Sequence, residues 1–230
     1  MTQMQQQTAQ GIFDPVIIRF EDVAFAYEPA RPVLTRCHLA IRQGERVGLI
    51  GPTGGGKTTL LHLIVGLLRP TSGRIEVFGK PRTKEADFLE VRRRVGLLFQ
   101  DADDQLFFPT VAEDVAFGPL NLGKPKDEVL RLVRETLAEL GLAGYENRIT
   151  YRLSGGEKRL VALAGLLAMQ PEVLLLDEPF AGLDEKTAHR VLDILARLPQ
   201  TILLVSHHRD WLRQIAIRTL RLDQGQLLED

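Results

Sequence analysis

Apolar residues along the chain follow more than one rhythm. In "FEDVAFAY", residues 20–27, Val23, Phe25 and Tyr27 fall on one face of an alternating stretch, the period of a half-buried strand. The turn "EPARP" and a second extended stretch through Leu39 and Arg42 predict antiparallel pairing, and "GRIEVFG" at 73–79 alternates again. Elsewhere the apolar run is unbroken, in "ERVGLIG" (45–51), "RVGLLFQ" (94–100), "EVLLLDEP" (172–179) and "TILLVSH" (201–207). Short continuous runs of this kind belong to strands buried on both faces of a parallel sheet. Between them the period lengthens. A helix is predicted from about Lys57 to Leu68, closed by Pro70 and Gly73, and another from about Lys186 to Leu198. In "KPKDEVLRLVRETLAELG" Val129, Val133, Leu137 and Leu140 form one stripe, with Gly141 as a C-terminal cap. "TLRLDQGQLLE" reads as a hairpin around Gln224 and Gly225. The pattern is α/β: a mainly parallel sheet, an N-terminal antiparallel β lobe, and a helical lobe inserted over approximately residues 101–169.

Composition narrows this picture. With 230 residues, 44% of them apolar and 26% charged, the chain can bury a sizeable core, and residues 16–230 are expected to form one domain. Residues 1–15, polar and Gln-rich, read as a disordered tail without the charged-then-apolar order of a signal peptide. The net charge of −1 offers no global positive field, so no direct nucleic-acid partner is expected. A single cysteine, Cys37, excludes an internal disulfide framework and reads as a small buried apolar residue. The longest apolar runs, at 60–68 and 160–169, are well short of the ~20 residues of a membrane-spanning helix.

The chemistry is concentrated in a few segments. "GPTGGGKT", residues 51–58, sits between a predicted strand and a predicted helix. Its glycines let backbone N–H groups point at phosphate oxygens, the helix adds its positive N-terminus, Lys57 reaches the terminal phosphates, and the Thr58 hydroxyl can ligate Mg²⁺. "LLLDEP" ends a buried strand with adjacent carboxylates; in a nucleotide site Asp177 would hold Mg²⁺ and Glu178 would activate the attacking water. "LSGGE", residues 153–157, precedes an apolar helix and fits two readings. It is a second anion site at a helix start, or a capping box in which Ser154 and Glu157 satisfy each other's backbone N–H groups.

The phosphate loop, Gln100 after a strand, "LSGGEKR", "LLLDEPFAGLD" and "LLVSH", in this order and spacing, resemble the nucleotide-binding subunit of an ATP-binding-cassette (ABC) transporter over nearly the whole chain. The resemblance implies a P-loop NTPase core of RecA-like type and an ATPase that uses ATP and Mg²⁺. It also implies that two cassettes, two copies or one copy and a related chain, pair head to tail, so that "LSGGE" of one meets the γ-phosphate held by the other. Position by position, Tyr27 would stack on adenine, and Gly51, Pro52, Thr53, Gly54, Gly55, Gly56, Lys57, Thr58 and Thr59 would hold the phosphates. Ser154, Gly155 and Gly156 would reach the partner's ATP, and Asp184 would close the interface. Thr58, Gln100 and Asp177 would serve Mg²⁺, while Glu178 as general base, His207 at the γ-phosphate and Gln100 as sensor would form the catalytic set. From the residues alone, Tyr27 also fits a packed strand face, His207 a strand end, and Gln100 a strand cap. The chain departs from the family pattern at Gly55, where serine is common, at Ala181, also a frequent serine, and at His208, where aspartate is usual.

"FQDADDQLFFPTVAEDVAFGPLNLG", residues 99–123, is similar more narrowly to the ATPases of energy-coupling-factor importers and related cobalt and nickel uptake systems. That likeness implies a peripheral location on the cytoplasmic face of the membrane, a transmembrane coupling protein docked after Gln100, a substrate-binding membrane subunit, and cobalt, nickel or a vitamin as cargo. Leu106, Phe107 and Phe108 would floor an apolar groove while Asp101, Asp103 and Asp104 met basic residues of the partner. Read alone, the apolar triplet also fits core and the aspartates a solvated turn. A soluble ABC ATPase acting on nucleic acid or ribosomes is disfavoured by the near-zero charge and by the lack of a coiled-coil insertion before "LSGGE". Only the narrower likeness argues against an exporter cassette.

Overall fold

The computed structural model describes residues 15–230; the tail expected over 1–15 lies, apart from Pro15, outside them. The chain runs β1 (Val16–Glu28), β2 (Arg31–Arg42), β3 (Arg46–Ile50), α1 (Lys57–Ile64), β4 (Ser72–Val77), β5 (Lys80–Pro81), α2 (Glu85–Arg94) and β6 (Val95–Leu98). It continues through α3 (Val111–Asn121), α4 (Lys126–Glu139), α5 (Gly155–Ala168), β7 (Val173–Asp177), α6 (Glu185–Arg197), β8 (Thr201–Val205), α7 (Arg209–Ile215), β9 (Arg218–Asp223) and β10 (Gln226–Glu229). A four-stranded antiparallel sheet has the order β2-β1-β4-β5, and a six-stranded sheet the order β10-β9-β3-β8-β7-β6. All neighbours in the second sheet are parallel except the β9–β10 hairpin. The C-terminal ends of β3, β8, β7 and β6 therefore share one edge, where ligands of open α/β sheets gather.

The unbroken apolar runs have a simple cause. Along β7, Leu174 and Leu176 join the core under α5, while Val173 and Leu175 join the core under α1; β8 divides Ile202 and Leu204 from Leu203 and Val205 in the same way. Both faces are covered, so every position but Asp177 at the end of β7 and Thr201 at the start of β8 is apolar. The stripe Val129, Val133, Leu137 and Leu140 is buried as expected, and Gly141 follows α4 with φ of 79°. Cys37, fully buried in the antiparallel lobe, has its thiol pushed up to about 12 by burial.

Some boundaries differ from expectation. Helix α1 stops at Ile64 rather than Leu68. Gly66 adopts φ of 70°, and the Phe88 ring occupies the place of its missing Cβ, which would lie 2.3 Å from that ring. Leu67 N–H then donates to His62 O at 2.9 Å, closing the helix end. Helix α2 was not foreseen, and it takes Arg94 from the predicted strand. It buries only Phe88 and Val91 along its length, and Asp87 accepts from the Lys84 and Thr83 N–H groups at 2.8 and 2.9 Å to cap its start. Helix α7, with Leu212 and Ile215 buried, was not foreseen either.

Candidate functional site

The loop between β3 and α1 is shaped by glycines at particular contacts. Gly51 has φ of 152° and a Cβ there would lie 2.5 Å from Leu222 O; Gly56 has φ of 99° and its Cβ would meet Val33 at 2.7 Å. At Gly55 a Cβ would stand 2.9 Å from Pro52 O, so the departure from serine goes with the neighbouring proline. No side chain caps α1, and its first turn holds no acidic residue, so the positive helix end is left for an external anion. Lys57 Nζ donates to Gly51 O and Pro52 O, both at 2.9 Å, which folds the loop around its own ammonium. Burial draws the Lys57 pKa down, against the pull of Glu178 and Asp177.

Thr58 Oγ1 donates to Asp177 Oδ2 at 2.5 Å, joining the start of α1 to the end of β7. Asp177 is 2% exposed, and burial raises its pKa against the Thr58 bond and the Lys57 charge. Glu178 follows with φ of 50°, a left-handed conformation uncommon outside glycine, and its N–H donates to Val205 O at 3.0 Å. Its Oε1 is buried without a hydrogen bond; His207 Nε2 stands 3.3 Å away, without hydrogen-bond geometry. Burial pushes the Glu178 pKa up, His207 opposing it.

These groups line a cleft of about 340 Å³ that also includes Tyr27, Thr53, Gly54, Thr59 and Gln100. Tyr27 sits at its mouth, its ring edge-on to Phe25 at 4.9 Å and its hydroxyl 3.2 Å from Thr59 Oγ1. The donor set fits a polyphosphate with a hard divalent cation: an uncapped helix start, a glycine cradle, one ammonium, and hydroxyl and carboxylate oxygens. Among the described residues no group of three or more His, Cys, Asp or Glu could hold a metal alone, so a cation here would need phosphate and water to complete its shell. His208 turns away and stacks on Trp211 at 4.4 Å.

Ser154, Gly155 and Gly156 are not brought to this cleft. Ser154 Oγ accepts from Glu157 N–H at 3.3 Å, and Glu157 Oε2 accepts from Ser154 N–H at 2.8 Å, a complete capping box. Gly155 lines a separate groove with Asp101, Asp103, Lys158, Arg159 and Gly182. Asp184 caps α6, accepting from Thr187 N–H at 3.0 Å and Thr187 Oγ1 at 2.6 Å, and these bonds draw its pKa down.

In the segment after Gln100, Asp103 pairs with Lys158 at 2.5 Å within the chain, and Asp101 accepts from Asp103 N–H at 2.9 Å. Phe107 is 74% exposed, whereas Phe108 packs on Phe117 at 5.1 Å and Leu106 rests against the core. Leu106, Phe107, Phe117, Leu166 and Met169 line an apolar groove, together with Asp114, which the sequence reading missed. Asp114 Oδ1 accepts from Phe107 and Phe108 N–H at 2.9 and 3.1 Å, Oδ2 is buried without a partner, and burial raises the pKa. Its only signal in the sequence is an acid beside apolar helix positions. Arg159 of α5, also missed, reaches the nucleotide cleft's backbone, donating to Glu178 O at 3.1 Å and to Gln100 O.

Comparison with known proteins agrees with this geometry. The family model described as "ABC transporter" matches residues 34–181. The chain is 44% identical over 218 residues to the energy-coupling factor transporter ATP-binding protein EcfA of Methanothermobacter thermautotrophicus, covering 93% of this chain and 70% of that protein. EcfA of Methanocaldococcus jannaschii is likewise 44% identical over 218 residues, covering 93% and 78%. Among solved structures, cbiO1 from Clostridium perfringens, described as part of the ABC transporter complex cbiONQ, is 33% identical with a TM-score of 0.81 over 94% of this chain and 88% of that one. The dimeric cassette MJ0796 in a post-hydrolysis state bound to ADP and Pi is 27% identical with a TM-score of 0.86, covering 93% and 98%.

Proposed function

Starting from the chain's membership of the ABC transporter family, as an ATP-hydrolysing cassette, we propose that it pairs head to tail with a second cassette around two ATP and Mg²⁺, and drives import through membrane partners. The observation that carries this reading is the separation of two glycine-led helix starts. Helix α1 opens into the cleft of Asp177, Glu178 and His207, while Gly155, at the start of α5, lines another groove. A Cβ on Gly155 would meet nothing within 4 Å, so no contact inside the chain demands glycine there. An approaching second chain supplies such a demand.

Bound ATP and Mg²⁺ would supply the scissile phosphoanhydride and the cation charge. The loop N–H groups and Lys57 hold phosphate oxygens, and Tyr27 at the mouth offers its ring to the base. Thr58, Gln100 and Asp177 would hold the cation. Glu178 takes a proton from water at its carboxylate, and His207, whose Nε2 lies 3.3 Å from Oε1, would contact the terminal phosphate. Burial keeps the Glu178 carboxylate basic enough for this step. Ser154, Gly155, Gly156 and Asp184 serve the interface.

The cassette domain comprises residues 16–230, its helical lobe approximately 101–169. No helix among the described residues is long and apolar enough to cross a membrane, so transport needs a transmembrane coupling protein and a substrate-binding membrane subunit. The groove beside Phe107 suits such a docked helix, and the EcfA and cbiO1 likenesses favour cobalt, nickel or a vitamin as cargo, with the cassette on the cytoplasmic face. The test is a tagged purification from native membranes in mild detergent. A polytopic coupling protein with a small membrane protein supports the importer; a conventional permease removes that subtype; ribosomal proteins or nucleic acid without a membrane protein overturn the transport reading.

A further inference from the structure

Arg159 lies in the second turn of α5, inside the run "KRLVALAGLLAM", and is 8% exposed. Its guanidinium makes no ion pair with a carboxylate among the described residues. Instead Nη1 donates to Glu178 O at 3.1 Å and, at the limit, to Asp177 O at 3.5 Å, and Nη2 donates to Gln100 O. A buried cation whose hydrogen bonds all run to carbonyls, with burial lowering its pKa against the more distant charges of Asp101, Asp177 and Glu178, is a costly choice for a helix that could carry leucine there. What a guanidinium adds is a rigid fork whose donors reach separate acceptors at once. The acceptors sit just past the ends of two neighbouring strands, β6 and β7, which are in register at Leu98 and Leu176.

One of those acceptors belongs to a strained residue. Glu178 holds φ of 50°, and its backbone is gripped on one side by Val205 O and on the other by Arg159. These bonds set the direction from which the side chain enters the cleft, where Oε1 stands without a hydrogen bond. The same guanidinium grips Gln100 as it leaves β6.

We propose that Arg159 is a positioning residue for hydrolysis: from α5 it fixes the backbone of Glu178 and Gln100, so that the helix end formed by Ser154 and Gly155 and the hydrolytic carboxylate move as one body. The proposal rests on the reading of Glu178 as the base. In a head-to-tail pair it ties the helix end that addresses the partner's nucleotide to the carboxylate acting on the chain's own. Each site then senses the other through one side chain.

The experiment measures steady-state ATPase kinetics of Arg159→Met and Arg159→Lys, each alone and in a Glu178→Gln background. Arg159→Met is expected to lower kcat about 10²-fold with KM for ATP within about twofold, the signature of misplaced rather than missing chemistry. Arg159→Lys keeps the buried charge but cannot span both loops, and loses about tenfold in kcat. In the Glu178→Gln background Arg159→Met produces no further loss, because its effect passes through the carboxylate. Wild-type kcat in Arg159→Lys overturns the proposal, and so does an equal fold-loss in both backgrounds; the lysine variant decides the matter if the methionine variant does not fold. Near-normal turnover in Glu178→Gln alone brings down the assignment of the base instead, which separates the two failures.

Discussion

Helix α1 begins just after Gly56 and helix α5 begins at Gly155, and they finish their first turns in opposite ways. Helix α1 has no side-chain cap and no acid in its first turn, and a lysine waits beside it. Helix α5 caps itself through Ser154 and Glu157, and Tyr145 donates to that same glutamate at 2.8 Å. A helix end left open in a cleft is waiting for an anion, whereas one already closed by its own chain has no unmet need in the monomer. If Ser154 and Gly155 also serve a phosphate, that phosphate comes from outside and competes with a cap. The contrast separates a site complete in one chain from a surface that gains its role on pairing.

The largest expected effect lies at the open end. Glu178→Gln should lower ATP hydrolysis by roughly 10²–10⁴ while ATP binding persists, measured as turnover against equilibrium binding. Because burial raises the Glu178 pKa above 4.5, and a base must be deprotonated to act, wild-type turnover should fall with acid through that raised value. Glu178→Gln should lack this limb. Next, Lys57→Ala should weaken ATP binding to the isolated chain by about 10- to 10²-fold, the loss of a charged hydrogen-bond donor, while Ser154→Ala changes it less than about twofold. Equal losses at both positions would break the contrast. Gly155→Ala should lower turnover about tenfold yet leave the thermal midpoint within about a degree, since its Cβ has open space in the monomer. A midpoint shift without a turnover loss would return α5 to a purely structural role.

The smallest effect is on stability. Glu157→Ala removes the carboxylate half of the capping box and should cost about 1 kcal/mol at neutral pH. The Ser154 N–H holds the Glu157 pKa below 4.5. A depressed folded-state value contributes stability above the unfolded pKa and loses it as pH falls through the folded one, so the gap between Glu157→Ala and wild type should close in acid. Urea denaturation at several pH values reads it directly.

Much of this was legible in the residues because it follows from periodicity and spacing. The unbroken runs of β3, β7 and β8, the stripe of α4 and the loop before Lys57 all announce themselves. So does the parallel core, since β7 and β8 are apolar at every position bar their ends. Helix α2 was hidden because "EADFLEVRRR" buries only Phe88 and Val91, too few for a period to emerge. The early stop of α1 depends on Phe88 lying over Gly66, a contact between residues distant in sequence. The sequence offers Asp103 to a partner's basic residue; its side chain is 67% exposed and already pairs with Lys158 of the same chain, and no local pattern announces such a pair. Arg159 did leave a trace, a buried-face cation at the head of an apolar run, yet only the fold reveals which carbonyls need it. Tertiary contacts decided each of these cases.

Cys37 gives the molecule a clock of its own. The thiol is fully buried on β2 and its pKa stands at about 12, so in the closed lobe almost no thiolate meets solvent. A thiol reagent in solution can therefore mark the chain only when the antiparallel sheet opens, and the rate of marking counts those openings. Tyr27 belongs to the same sheet and touches Thr59 of α1 through its hydroxyl. A ligand that bridges the two should slow the clock, and the single cysteine then times the grip of one lobe on the other.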